Sequence, residues 1–111
     1  MRGNYTYVAD LSRHLPDIPA DAIVSRTLFS DDHAKAVLFS FAAGQELSEH
    51  TASMPAILHI LEGEARLTLD GDTVEARAGS WTHIPPDLPH GVLAKTPVLM
   101  LLLLIKTGRN S

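Results

Sequence analysis

Apolar residues in this chain recur at every second position, in runs of four to eight, and each run is stopped by Gly, Pro or Asp-Gly. That alternation is the period of a half-buried strand, and almost nothing in the chain keeps the 3.6-residue spacing of a helix. Strands are predicted over Ile23–Phe29, Ala34–Ala42, Ala56–Glu62, Ala65–Asp70, Asp72–Ala76, Trp81–Ile84, His90–Ala94 and Val98–Lys106. Residues 45–51 are polar and read as extended. Asp70-Gly71 is the strongest hairpin dipeptide, because both central residues of a type I′ turn need positive φ. Many short strands of this kind predict an all-β sandwich or barrel.

A single domain is expected from 111 residues. Residues 1–22 read as a lead-in arm with one short helical turn over Ala9–Leu15 before Pro16, residues 23–106 as the barrel, and residues 107–111 as a polar tail. His14 and His33 lie in polar segments and read as solvent-facing.

The chain has no cysteine, which removes disulfides, thiolate metal sites and cysteine nucleophiles. A metal would therefore need nitrogen or oxygen ligands. The net charge is −4 and the basic residues are scattered, so no nucleic-acid partner is expected. The apolar run from Val98 to Ile105 is far short of the ~20 residues of a membrane-spanning helix, so no membrane partner is expected. Together with the absence of a signal-peptide core this points to a cytoplasmic protein.

The chemistry is concentrated between Gly44 and Gly91, which holds four of the six histidines: His50, His59, His83 and His90. The spacing there resembles the two motifs of the cupin family. Gly44 is followed by five residues and His50, and Gly63 closes the first motif. Gly79 is followed by five residues and Pro85, and His90 stands in its place in the second. The resemblance implies a double-stranded β-helix, the jelly-roll barrel of the cupins. Metal-binding cupins hold a divalent ion with three His and one Glu. Here His50 and His90 occupy two of those four positions, whereas Ala52 and Ala56 occupy the other two. The motif's second-half glycine is replaced by Asp87, and its asparagine by Ala94.

Strand parity bears on the remaining candidates. If Ala56 faces the interior, Leu58 and Ile60 do too, and His59 faces away. Trp81 and His83 share one face of their strand, and Thr82 and Ile84 the other; the residues do not say which is inward. The candidate ligand-binding set is therefore His50, His90, His83, Trp81, Leu58 and Ile60. A metal set would be His50 and His90, with His83 as third ligand.

Two functions follow. The first is a small-molecule binding module, since two alanines in ligand positions leave an apolar pocket with few polar groups. The second is a metal-dependent oxygenase or isomerase using a histidine-only site for one divalent transition metal such as Fe, Mn, Ni or Zn. A metal-free enzyme with a histidine base is a third reading, without an orienting carboxylate in view. The strand from Val98 is apolar on both faces. With Tyr5 and Tyr7 in the arm, it predicts a homodimer formed by sheet packing.

Overall fold

The computed structural model describes residues 5–15 and 20–106. Among the described residues nine strands form: β1 (Ile23–Ser30), β2 (Ala34–Phe41), β3 (Glu46–His50), β4 (Ala56–Glu62), β5 (Glu64–Leu69), β6 (Asp72–Arg77), β7 (Trp81–Ile84), β8 (His90–Ala94) and β9 (Val98–Ile105). They pair antiparallel into a five-stranded sheet of order β1-β2-β9-β4-β7 and a four-stranded sheet of order β3-β8-β5-β6. The all-β jelly-roll expected from the sequence is the fold observed. Most strand limits agree with the alternation to within a residue. The expected tail, and the arm's Pro16 and Pro19, fall outside the described residues.

The core lies between the two sheets. Phe41, Leu58, Ile60, Leu67, Ile84 and Met100 are each at most 3% exposed and pack together with Val92 and Val98. The period-2 pattern puts these residues on the inner faces, and a fully buried side chain of this size is worth about 1.5–3 kcal/mol. Val98–Ile105 sits centrally in the larger sheet. Val98, Met100, Leu102 and Leu104 face inward, opposite Phe41, Phe39, Val37 and Lys35 of β2.

The connections are set by backbone conformation. Asp70 and Gly71 both take positive φ, 53° and 88°, so the β5–β6 hairpin is the turn its dipeptide predicted. Gly63 also takes positive φ, 88°, where the chain bends from β4 to β5. A β-carbon there would collide with the carbonyl oxygen of Pro97.

The arm's helical turn is a short 3-10 helix over Leu11–Arg13, capped by Asp10, whose carboxylate accepts the amide of Ser12. Arg26 on β1 donates to the carbonyl of His14 at 3.0 Å. That bond ties the arm to the sheet, and His14 is half-buried rather than solvent-facing. The arm and the outer face of β1, β2 and β9 enclose a groove of about 710 Å³ lined by Val8, Leu11, Phe29 and Leu101 among others. No helix among the described residues is long and apolar enough to cross a membrane.

Candidate functional site

His50 and His90 are brought together directly. They are cross-strand partners between β3 and β8, with ring centroids 4.4 Å apart and ring planes tilted by 55°. His90 lies on the inner face of β8 with Val92 and Ala94, which pair with Leu67 and Ala65 of β5. It is 7% exposed, and His50 beside it is open to solvent. The pair therefore closes one end of the barrel, one ring inside and one at the mouth.

Simple alternation does not put His50 there. Leu47 pairs with Val92 and faces inward, so unbroken parity would turn position 50 outward. A bulge between Leu47 and His50 adds the extra residue and turns His50 back toward His90. Gly91 makes room for it. A β-carbon at Gly91 would lie 3.1 Å from the Leu47 carbonyl oxygen and 3.1 Å from the Glu49 amide nitrogen.

Each imidazole is held by the carbonyl two residues before it. His50 Nδ1 lies 2.9 Å from the Ser48 oxygen, and His90 Nδ1 lies 2.8 Å from the Leu88 oxygen. A carbonyl only accepts, so both Nδ1 atoms carry the proton and donate it. In the neutral rings this leaves both Nε2 lone pairs free. Two loops brace this end: the Asp87 amide donates to the Ala52 carbonyl at 2.7 Å, and the Asp70 amide to the Pro89 carbonyl at 2.8 Å. Asp87 holds a positive φ of 66°. Its position is the one where the family motif has glycine, and aspartate is among the few residues that tolerate the left-handed region.

The other sequence-derived candidates do not join the pair. Leu58 and Ile60 face the interior as expected, but at 3% and 1% exposure they are packed core rather than the wall of an open pocket. Ala56, in the family's Glu position, also points inward and is 2% exposed, its space taken by neighbours including Leu58 and Ile84. Ala56 is thus packed within the core, whereas Ala52 is half-buried in the loop after β3.

His83 and Trp81 are corrected as well. They pair with Ile57 and His59 of β4, whose inner face is taken by Ala56, Leu58 and Ile60. Both therefore lie on the outer face of the larger sheet, and Trp81 is 61% exposed. His59 faces outward, as parity predicted. The proposed third ligand is thus on the wrong side of the sheet. No group of three or more His, Asp or Glu that could hold a metal forms among the described residues.

Sequence reasoning missed Leu47, Leu69 and Leu88, which pack half-buried against the core near the histidine pair. Leu69 could have been found, because it alternates with Leu67. Leu47 sits in a polar stretch, and Leu88 between prolines, where no periodicity reports a face.

The family model of the cupin domain matches residues 37–105. The chain belongs to the cupin family. Among solved structures, this cupin is similar to a conserved protein of unknown function from Streptococcus pyogenes, at 30% identity and TM-score 0.84, over 96% of this chain and 92% of that one. A cupin superfamily protein from Desulfitobacterium hafniense matches at 24% identity and TM-score 0.80, over 93% of each chain. KdgF from a Halomonas species matches at 19% identity and TM-score 0.78, over 94% of this chain and 96% of that one. At those lower identities the likeness shows the fold alone. None of the curated proteins compared with this cupin matches it.

Proposed function

We propose that this cupin binds a small molecule at the His50–His90 end of its barrel. The observation that carries the reading is the pair itself: two rings 4.4 Å apart, both anchored through Nδ1, one of them reachable from solvent. Such anchoring removes ring rotation before a ligand arrives, so less ordering entropy is lost on binding. The half-buried Leu47, Leu69 and Leu88 supply apolar surface beside the two imidazoles, the usual character of a small-molecule site. The matching ligand is a small molecule with an apolar body and one hydroxyl or carboxyl group. A hydroxyl donates to a neutral Nε2, and a carboxylate binds when a proton accompanies it onto the pair.

The family's metal does not fit this donor set. Two of the motif's four ligand positions carry alanine, which has no donor atom, and a divalent transition ion takes three or four protein ligands. One observation favours a metal: ligating histidines also donate their second ring N–H to a carbonyl. With only two ligands, any divalent ion is expected to bind weakly and exchange with buffer.

The test is a thermal-shift screen of small aliphatic and aromatic hydroxy and carboxy compounds. A ligand present at a hundredfold over its Kd stabilises by about 2.7 kcal/mol, a shift of several degrees. The shift is expected in the wild type and in His83→Ala, and is expected to be lost in His50→Ala and His90→Ala. A shift of equal size in all four proteins places the ligand elsewhere and overturns the reading.

A further inference from the structure

The strand orders of the two sheets run in step. In the larger sheet β2, β9, β4 and β7 follow one another, and in the smaller β3, β8, β5 and β6. Each facing pair is joined by a short connection: β2 to β3 by residues 42–45, β8 to β9 by 95–97, β4 to β5 by Gly63 and β6 to β7 by 78–80. β2 therefore lies across the core from β3. Because the end of β2 leads into the start of β3, the start of β2 is level with the end of β3, where His50 stands.

Lys35 is the second residue of β2. It pairs with Leu104, whose side chain packs against the core, so it occupies an inner-face position. Its row continues from Leu104 to Ala56 of β4 and Ile84 of β7. The smaller sheet contributes the row His50, His90, Leu69 and Asp72 at the same end. Among the described strand residues the inner faces carry two formal charges, Lys35 and Asp72, on opposite sides of this one end. The other carboxylates here stand on exposed turns and loops, Asp31, Asp70 and Asp87 among them, and Asp31 is already bonded to the amides of His33 and Ala34. The chain's other two lysines are engaged, Lys95 on Glu75 and Lys106 on the Ser30 hydroxyl and the Asp31 carbonyl. Lys35 is half-buried, and its ammonium joins none of the ion pairs formed among the described residues.

We infer that Lys35 makes the histidine end of the barrel select organic acids. This rests on the ligand site proposed above and decides between its hydroxyl and carboxyl alternatives in favour of the carboxyl. Stacked sheets stand about 10 Å apart, a gap that a lysine's four-carbon stem and a bound carboxylate together span. One carboxylate oxygen meets the Lys35 ammonium, and the other meets the proton that accompanies the acid onto the imidazole pair. Asp72 sets the orientation. Its charge repels the acid group from the β6 side, which leaves Leu69 and Leu88 to the apolar body.

The experiment is calorimetric titration of the full chain with matched probes, benzoate against benzamide and hexanoate against hexanamide, alike in shape and different in charge. The wild type is expected to bind each acid roughly tenfold more tightly than its amide, the gain of a charge-assisted bond. Lys35→Met keeps the apolar stem and removes the charge; it is expected to bind acid and amide equally, with amide affinity as in the wild type. Lys35→Arg is expected to retain the preference, which separates charge from packing. If Lys35→Met fails to fold, Lys35→Gln gives the same reading. An acid preference that survives loss of the lysine charge, equal binding of acid and amide by the wild type, or no binding of either acid overturns the inference. Titration of His50→Ala tells the two failures apart: binding that vanishes there upholds the site whatever Lys35 does, and binding that persists there overturns site and inference together.

Discussion

A side chain added at Gly63 would run into the carbonyl oxygen of Pro97, whereas one added at Gly71 meets no atom within 4 Å. The two glycines have the same φ of 88°, so the comparison separates strain from crowding. Gly71→Ala is expected to cost only the left-handed penalty, about 1–2 kcal/mol. Gly63→Ala adds overpacking against backbone that cannot rotate away, for a total of about 2–5 kcal/mol. Urea midpoints of the two variants check this; equal losses would mean that Pro97 yields. Asp87 belongs to the same scale. Its place in the motif was legible, but its left-handed conformation was not, because aspartate occupies ordinary turns as readily.

Among the elements, β3 was the least legible. Its outward charges and single inward Leu47 give no clear alternation, and the bulge that re-aims His50 has no residue signature of its own. β7 was unreadable for a different reason: four residues with Trp and Ile on opposite faces offer two apolar sides. Only the register with β4, whose alternation is unambiguous, assigns His83 and Trp81 outward. The long strands β2, β4 and β9 were legible because burial enforces the two-residue period. Gly91 is the test of the bulge. In Gly91→Ala the new methyl presses on the Leu47 and Glu49 backbone, and β3, a short edge strand, gives way first. Amide exchange in β3 is expected to rise about tenfold, equivalent to ~1.4 kcal/mol of local stability, with β9 unchanged. A uniform rise across both strands would show a global loss instead.

At the scale of the whole molecule, three exposed carboxylates among the described residues bear on the acid response. Asp31 is held below the ordinary carboxylate range by the amides of His33 and Ala34. Asp10 is lowered by the Ser12 hydroxyl and amide, and Glu75 by its hydrogen bonds to Lys95 and Arg66. A carboxyl whose pKa is lower folded than unfolded binds fewer protons in the folded state. Its stabilisation is present above the unfolded value and is lost as pH falls through the folded one. Urea midpoints are therefore expected to be level from neutrality to about pH 5 and to drop below about pH 4. Asp31→Asn is expected to flatten the drop, and an unchanged acid limb in that variant would remove Asp31 from the account.

The arrangement of the whole barrel converges on the two imidazoles at its end, and side-chain ¹⁵N spectra of the histidines at pH 8 read them directly, before and after addition of a stabilising compound from the screen. At that pH an ordinary imidazole is neutral. Both His50 and His90 are predicted to carry the proton on Nδ1, and the compound is predicted to shift their Nε2 resonances while His59 and His83 stay in place. A proton on Nε2 in the free protein, or a compound that moves His59 and His83 and leaves the pair untouched, would contradict the account.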